Sequence, residues 1–330
     1  MNILFTLNDA FVPQVATCMC SIFENNKSAD SINIYLIGEK ISEKNQQELS
    51  AFTNKYKRNV YFIELGNIED LLDFEFDTNG WSPIVLARLF LDKLLPNDVN
   101  RVLYLDGDTI VLKDISKFYS TDLEDKVLGM CPEPTVDKTR KKFLKLGEYP
   151  YHNSGVLLID LNKWREKQIG KQVIEFYRQH DGNLFAPDQD ALNGSLKLEI
   201  KTLSLNFNYF NIYDTYPYYI LKKLSFPTEF ISKSEFESIK KSPSIIHYLG
   251  EERPWRKGNT HKWRGEYLHY LSTTPWKDTP MEEGWQLYFI CFRIFNTIMR
   301  PFPMLRYKII NSLIPSFMKY RKKQLQKKQK

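Results

Sequence analysis

The chain has 330 residues, of which 42% are hydrophobic and 26% are charged. These values are typical of a folded globular protein and exclude a disordered chain, and the length corresponds to one large domain or two small ones. Residues 284–330 contain 11 of the 46 Lys and Arg residues and no acidic residue, so the remaining chain has 35 basic and 40 acidic groups. The mildly acidic body argues against nucleic-acid binding, and the basic C-terminus could bind a membrane surface or another polyanion.

The cysteines and the apolar segments bear on the compartment. Cys18, Cys20, Cys131 and Cys291 form no CxxC pair and no zinc-finger spacing, so we expect the buried, reduced thiols of a cytosolic protein. The first residues lack the basic region and cleavage site of a secretory signal peptide. No segment has about 20 uninterrupted apolar residues, so we predict no transmembrane helix.

Apolar strands and amphipathic helices alternate along the first third of the chain. The predicted strands are residues 2–7, 32–37, 60–65, 101–105, 155–160 and 244–247, and the predicted helices are residues 11–23, 42–57 and 83–95. Such alternation implies right-handed crossovers and a mostly parallel sheet with flanking helices. The predicted fold class is therefore α/β.

Two aspartates directly follow the fourth predicted strand. Asp106 and Asp108 are separated by Gly107, which lets the backbone bend and a ligand approach closely. Ligands bind beyond the carboxyl ends of the strands in such sheets, and both carboxylates could reach one hard divalent cation there. An aspartate-capped turn is the alternative interpretation. Because buried carboxylates without a cation or partner are costly, we predict a metal site.

A histidine ends the last predicted strand. A lone histidine at position 247 is compatible with an ordinary core residue, but a neutral imidazole would also complete a metal site begun by two carboxylates. Gly250 and Arg253 follow closely, and a backbone turn with a cation suits the binding of phosphate.

Six separate segments share the order and spacing of one enzyme family's motifs. They are FTLND at residues 5–9, RL at 88–89, YLDGD at 104–108, NSGVLLID at 153–160, DQDALN at 188–193 and HYLGEERPW at 247–255. Together they resemble glycosyltransferase family 8, the retaining sugar-nucleotide transferases that include bacterial lipopolysaccharide galactosyl- and glucosyltransferases. The resemblance covers about residues 2–260. It implies a GT-A-type fold in a catalytic domain of residues 1–270.

The resemblance also implies a role for each group of motif residues. The ligands of Mn²⁺ (or Mg²⁺), which would bridge the diphosphate of a UDP-sugar, are Asp106, Asp108 and His247. The residues near uracil and ribose are Thr6, Asn8 and Asp9. The residues along the donor phosphates and sugar are Arg88, Gly107, Gly250 and Arg253. The catalytic residues, which would hold sugar hydroxyls near the anomeric carbon, are Asn153, Asp188 and Gln189.

Two positions depart from the family's pattern. Asn8 stands where related enzymes often have aspartate, which affects the contacts expected at uracil and ribose. Arg253 replaces the lysine of the histidine motif, so the positive charge is kept but a point charge becomes a planar fork. We expect phosphate binding with altered geometry.

The implied reaction is retaining transfer of a hexose from a UDP-glucose or UDP-galactose type donor to a glycan or glycolipid acceptor in cell-surface polysaccharide synthesis. Gln189 is a poor nucleophile, which favours front-face substitution over a covalent intermediate. The acceptor would contact residues 74–81 and 206–224, where Tyr209, Tyr213, Tyr216 and Tyr218 could stack on sugar rings or simply pack together. Two alternatives are a catalytically silent scaffold protein with the same fold and a nucleotidyltransferase.

The C-terminal residues 271–330 form a basic, aromatic extension. Residues 285–300 predict an interfacial helix with an apolar side, and a second apolar and basic stretch at residues 304–318 is interrupted by Pro315. The basic residues that follow are Lys319, Arg321, Lys322, Lys323, Lys327, Lys328 and Lys330. We predict peripheral attachment to an anionic membrane, at the cytoplasmic face of the plasma membrane. The alternative is a helix that packs on the catalytic domain, followed by a solvated lysine tail.

Overall fold

A seven-stranded sheet forms the centre of the structure, a computed structural model that describes residues 1–328. The strands are β1 (Asn2–Asn8), β2 (Asn33–Glu39), β3 (Asn59–Glu64), β4 (Arg101–Leu105), β5 (Thr109–Val111), β6 (Leu128–Pro132), β7 (His152–Asp160), β8 (Ile200–Thr202), β9 (Tyr209–Phe210) and β10 (Ile245–His247). The larger sheet has the order β3-β2-β1-β4-β7-β6-β8, and β5-β10-β9 form a second sheet. In the larger sheet β7 runs antiparallel to both neighbours, and the other four pairings are parallel. The predicted α/β class with a mostly parallel sheet is confirmed.

Helices flank the sheet. They are α1 (Val12–Asn25), α2 (Glu43–Lys55), α3 (Ile68–Leu71), α4 (Leu91–Leu94), α5 (Ser116–Tyr119), α6 (Lys138–Phe143), α7 (Leu161–Glu166), α8 (Ile169–Arg178), α9 (Pro187–Leu196), α10 (Ile212–Thr215), α11 (Tyr218–Ser225), α12 (Lys233–Lys241), α13 (Arg264–Ser272), α14 (Gln286–Met299) and α15 (Pro303–Lys328). Three 3₁₀ helices span Asp9–Phe11, Pro83–Phe90 and Leu205–Phe207. Proline in the first turn begins α1 and α9, where its missing N–H costs nothing.

The alternation of side chains along β1 divides the core into two layers. Ile3 and Phe5 belong to a hydrophobic cluster with Val15 of α1, and Leu4 belongs to a second cluster with Leu192 of α9. Successive strand residues point to opposite faces, so a continuous apolar run is the pattern of a strand covered on both sides. Burial on both faces leaves the carboxyl ends of β1 and β4 as the place where polar side chains can gather.

Several elements differ from the sequence predictions. Residues 83–95, predicted as one helix, form a 3₁₀ helix that changes into α4 at Leu91. Six of the eight 3₁₀ residues are buried. The type of helix is therefore determined by packing on several sides and not by a single amphipathic face. The expected interruption at Pro315 is wrong, because α15 continues through this residue. Pro315 is exposed, and the carbonyl of Asn311, which loses its helical partner, can be solvated.

The aromatic segment 206–224 contains β9, α10 and most of α11. Tyr209 and Tyr213 are completely buried, and Tyr216 is 4% exposed. Tyr218 packs on Phe230. Of the two alternatives for these rings, stacking on a sugar or packing together, the three buried tyrosines therefore follow the second, because the core already occupies their faces.

The C-terminal extension packs on the body. Arg306 is 8% exposed and donates from Nη1 to the hydroxyl of Tyr216 at 2.8 Å. Phe289, Met299 and Met318 are buried. Within residues 1–328, none of the helices combines the length and hydropathy that crossing a bilayer requires.

Candidate active site

Asp106, Asp108 and His247 meet where the two sheets adjoin. Asp106 follows β4, and β5 pairs antiparallel with β10 so that His247 lies opposite Thr109. Nε2 of His247 is 3.3 Å from Oδ1 of Asp108 and 3.7 Å from Oδ2 of Asp106. One ligand atom from each of the three residues lies within 4.8 Å of the others. Two carboxylates and an imidazole at this spacing can hold one divalent cation.

A chain of amides fixes the ring of His247. The N–H of Gly155 donates to Oδ1 of Asn153 at 2.9 Å, which identifies that atom as the amide oxygen. Asn208 donates from Nδ2 to the same oxygen at 2.9 Å, so its own Oδ1 faces Nδ1 of His247, also at 2.9 Å. Nδ1 must therefore carry a proton, and Nε2 is directed at the two carboxylates. This arrangement fits a metal ligand.

The electrostatics of the cluster are those of a cation site. Burial lowers the pKa of His247, but Asp108 and Asp106 outweigh this effect, and the pKa is raised overall. Burial raises the pKa of Asp108, but His247 and Arg253 outweigh this effect, and the pKa is lowered overall. Asp108 thus retains its charge in a buried place and favours a cation beside it.

Arg88 connects the predicted metal ligands with the predicted sugar end of the site. Its side chain is 3% exposed, with Nη2 3.0 Å from Oδ1 of Asp106 and Nη1 3.2 Å from Oδ2 of Asp188. Nη1 also donates to the carbonyl of Ser154 at 2.9 Å. The guanidinium packs 4.1 Å from the ring centroid of Tyr104, whose hydroxyl donates to Asp106 at 2.7 Å. A buried guanidinium needs such partners, so these four groups hold Arg88 firmly.

Asn153 and Gln189 both direct their amide nitrogens at Glu133. Nδ2 of Asn153 donates to Oε2 of Glu133 at 2.9 Å, and Nε2 of Gln189 donates to the same oxygen at 3.1 Å. Oε1 of Gln189 accepts from the backbone N–H and the hydroxyl of Ser154, at 2.8 and 3.2 Å. The amide oxygen of Gln189 is therefore already engaged by the backbone N–H of Ser154.

Asp188 and Asp190 have different surroundings although both lie in α9. Asp188 accepts from the hydroxyl of Ser154 at 2.9 Å and faces Arg88. Burial raises the pKa of Asp188 more than Arg88 lowers it. Asp190 accepts instead from Tyr151 and from Nε of Arg140, both at 2.7 Å. Asp190 thus braces the start of the helix, and Asp188 is the carboxylate that faces Arg88.

The predicted nucleoside contacts lie at the carboxyl end of β1. Thr6 is 8% exposed, and its hydroxyl is 3.0 Å from that of Tyr104. Asn8 is exposed. Asp9 accepts a 2.7 Å hydrogen bond from Nδ2 of Asn45, which ties the turn after β1 to α2.

The predicted diphosphate contacts surround Asp108. A Cβ at Gly107 would lie 2.7 Å from Cγ2 of Val15, so a larger residue does not fit without a shift. Gly250 has a φ of +79°, which favours glycine, and its carbonyl accepts from Nε of Arg253 at 3.1 Å. Nη2 of Arg253 is 3.8 Å from Oδ2 of Asp108. Backbone and cation therefore lie on the same side of the predicted metal site.

Several site residues were not identified from the sequence. They are Tyr104, Glu133, Tyr151, Ser154 and Asn208. Glu133 follows β6, whose apolar residues 127–131 are a recognisable strand signal, so its position at a strand end was detectable. Asn208 offered no such signal, because its role depends on the pairing of β9 with β10.

The chain is similar in sequence to known proteins. A sequence model of the family described as Glycosyl transferase family 8 matches residues 2–259. The lipopolysaccharide 1,2-glucosyltransferase of Escherichia coli (strain K12) is 28% identical over 285 aligned residues, which cover 84% of this chain and 79% of that protein. General stress protein A of Bacillus subtilis (strain 168) is 26% identical over 279 residues, with coverages of 84% and 94%.

The fold is also similar to that of solved structures. The crystal structure of the galactosyltransferase LgtC in complex with donor and acceptor sugar analogues superposes with a TM-score of 0.69 at 26% identity. The match covers 87% of this chain and 99% of that one. The predicted GT-A-type fold, with a mostly parallel sheet, flanking helices and a helical C-terminal extension, is confirmed.

Proposed function

Because the chain belongs to glycosyl transferase family 8, we propose that it is a metal-dependent, retaining hexosyltransferase. It moves a hexose from a UDP-glucose or UDP-galactose type donor to a glycan or lipid-linked acceptor. The similarity to a lipopolysaccharide glucosyltransferase supports an acceptor in cell-surface polysaccharide synthesis. The catalytic domain comprises residues 1–270, and residues 271–330 form a membrane-associating extension.

The convergence of Asp106, Asp108 and His247 within 4.8 Å is the observation on which the proposal depends. These residues would hold Mn²⁺ or Mg²⁺, which when bound stabilises the negative charge of the departing UDP. A hard cation fits because two ligands are carboxylates and the third has its ring fixed through Nδ1 by Asn208.

The remaining residues bind and orient the donor. Thr6, Asn8 and Asp9 contact the nucleoside, and Gly107, Gly250 and Arg253 contact the diphosphate. Arg88 adds a buried positive charge between the metal ligands and the sugar. Asn153, Asp188 and Gln189 hold the sugar hydroxyls, since amides and carboxylates are suited to pairing with them.

The contacts of α9 support front-face substitution. A double displacement requires a free carboxylate or other nucleophile at the anomeric carbon. The oxygen of Gln189 is engaged by Ser154, Asp188 is paired with Arg88, and Asp190 is turned toward Arg140. The protein then acts by holding the sugar in place while the leaving phosphate guides the acceptor hydroxyl to the same face.

A donor screen tests the proposal. UDP-glucose, UDP-galactose, UDP-GlcNAc and UDP-GalNAc are incubated with the protein and Mn²⁺, with and without EDTA, and released UDP is measured. We expect that UDP is released from a hexose donor and that EDTA abolishes this release. For substitutions of Asp108, the matched control is Asp98→Asn. Asp98 is an exposed aspartate remote from the cluster, so this variant should behave like the unaltered protein. Release that persists in EDTA would contradict the metal mechanism.

The two alternatives give different results in the same screen. A silent scaffold protein binds UDP without hydrolysing any donor. A nucleotidyltransferase releases no UDP from these donors, because it transfers the nucleotidyl group of a nucleoside triphosphate to a sugar phosphate and releases pyrophosphate. The ion pair of Arg88 with Asp188, at 3.2 Å, favours the transferase, because it places a carboxylate for sugar binding next to the metal ligands.

The C-terminal extension supports attachment to the cytoplasmic face of an anionic membrane. We call the exposed apolar side chains of this extension the outer face. They are Leu287, Ile290, Ile294, Ile298, Phe302, Leu305, Leu313, Phe317 and Tyr320. Exposed Arg293 and Arg300 flank them. An apolar strip with basic neighbours suits an anionic lipid surface. The side chains of Lys327 and Lys328, and Lys330 as a whole, lie outside the described residues.

Phe289, Met299 and Met318 of the extension are buried, so truncation would also remove packing contacts. Point substitutions of exposed residues therefore test attachment better than truncation does. The double variant Ile294→Ser with Ile298→Ser should lose co-sedimentation with vesicles that contain anionic lipid. Leu198→Ser, at a position that is 59% exposed on the body, is the control and should bind like the unaltered protein. Binding should also weaken at high salt. Equal vesicle binding by the double variant and the control would contradict the proposed attachment.

A further inference from the structure

The second half of α15 returns to the candidate active site. A Cβ at Gly80 would lie 3.0 Å from the backbone nitrogen of Lys322, so the helix backbone packs directly on this glycine. Nζ of Lys322 forms an ion pair with the carboxylate of Asp77. Residues 321 and 322, counted above among the cations of the membrane tail, therefore contact the body.

Arg321 is held against the segment that leads into α9. Its Cζ lies 4.5 Å from the ring centroid of Trp81. Nε1 of Trp81 donates to the carbonyl of Phe185 at 3.1 Å, which fixes the indole. Phe185 shortly precedes Asp188. Arg321 is thus stacked on a ring that is anchored beside the predicted sugar-binding helix.

The charges near Arg321 resemble those of an anion site. Burial lowers the pKa of Arg321 and Arg253 lowers it further, whereas Glu251 and Asp108 raise it. Arg253 in turn lies 3.8 Å from Asp108. Among the described residues, no carboxylate lies within 4.0 Å of the Arg321 guanidinium. Two guanidinium groups that repel each other beside a metal ligand leave hydrogen-bond donors for an anion.

We propose that Arg321 is a donor-binding residue that faces Arg253 across the diphosphate of the UDP-sugar and is positioned by its stack on Trp81. The inference depends on the proposed function, because the anion is taken to be the diphosphate of the donor. Its consequence is that the C-terminal extension forms part of the active site.

Binding of UDP and of uridine, measured by calorimetry with Mn²⁺ and without lipid, tests the assignment. A charge-assisted hydrogen bond contributes enough that Arg321→Gln should raise the Kd for UDP by roughly tenfold or more. The Kd for uridine should not change, because uridine has no phosphate. Lys308→Gln, an equivalent loss of charge at an exposed position of the same helix, is the control and should leave both values unchanged. A thermal melt confirms that each variant is folded.

The role of Trp81 as a positioning residue has its own readout. Trp81→Leu should weaken UDP binding less than Arg321→Gln does, and the double variant should show no further loss, since both changes remove the same contact. Unchanged or tighter UDP binding by Arg321→Gln would overturn this inference alone. Absence of UDP binding by the unaltered protein would overturn the proposed function and the inference with it.

Discussion

Gly155 lies directly against the imidazole of His247, and a Cβ at position 155 would be 2.3 Å from Cε1 of the ring. A contact this short does not occur between real atoms, and the ring is held at Nδ1 by Asn208, so it cannot simply turn away. The absence of a side chain on β7 therefore determines where the predicted metal ligand on β10 can lie. Gly155 is part of the site although it has no functional group.

The first prediction concerns this contact. Gly155→Ala should displace His247 and weaken Mn²⁺ binding by about tenfold or more, since groups that orient a ligand typically affect metal affinity by 10–100-fold. Titration calorimetry of Mn²⁺ measures the effect. Gly265→Ala is the control, because a Cβ there meets no atom within 4 Å. Equal affinities for the two variants would show that the imidazole is not a ligand.

The second prediction concerns Asp108, which is 8% exposed. Asp108→Ala should abolish transfer while the protein stays folded, because the change removes a ligand from a cation site and not an apolar group from the core. Activity is measured with Mn²⁺, and folding by circular dichroism. Substantial activity of this variant in the presence of EDTA would contradict the metal mechanism.

The third prediction separates sugar binding from nucleotide binding. Asp188→Asn should lower the turnover rate far more than it weakens UDP binding, since UDP lacks the sugar that Asp188 would contact. The ion pair with buried Arg88 adds a second effect, a loss of stability of about 3 kcal/mol or less, because Asp106 still neutralises the arginine. Steady-state kinetics, UDP calorimetry and urea unfolding measure the three quantities. Equal losses in turnover and UDP binding would indicate a structural or nucleotide-binding role.

The fold could be predicted where one periodicity determines an element. The continuous apolar run of β1 and the alternating polar and apolar helices give both element type and order. The same reasoning failed at residues 83–90, where burial on several sides hides the helical period, and at residues 206–224, where short elements depend on contacts with β10. The local sequence pattern carries no information about contacts with distant residues, so these elements could not be predicted from it.

The site could be predicted in part for the same reason. Asp106 and Asp108 follow a strong strand signal, and the histidine motif ends another strand. The orientation of His247, in contrast, depends on Asn153 and Asn208, which are distant in sequence and meet only in the folded chain. The return of α15 to the site could not be read from the basic composition of the tail, because composition does not distinguish a side chain that faces lipid from one that faces protein.

The last prediction concerns His152, a histidine that the fold keeps uncharged. It is 3% exposed, its Nε2 lies 2.9 Å from the hydroxyl of Thr202, and burial lowers its pKa from 6.5 to about 4. Between these values the unfolded chain binds a proton at this position and the folded chain does not. The free energy of unfolding should therefore decrease as the pH falls from about 6.5 to 4, by about 1.4 kcal/mol per pH unit for this residue.

Urea unfolding of the metal-free protein and of His152→Gln, each at several pH values, isolates this contribution. The slope of unfolding free energy against pH should be shallower in the variant by about one proton between pH 4 and 6.5. His247 is present in both proteins, so its own contribution cancels when the two slopes are compared. Above pH 7 the two slopes should coincide, which provides an internal control. Parallel slopes over the acidic range would mean that His152 takes up its proton in the folded state.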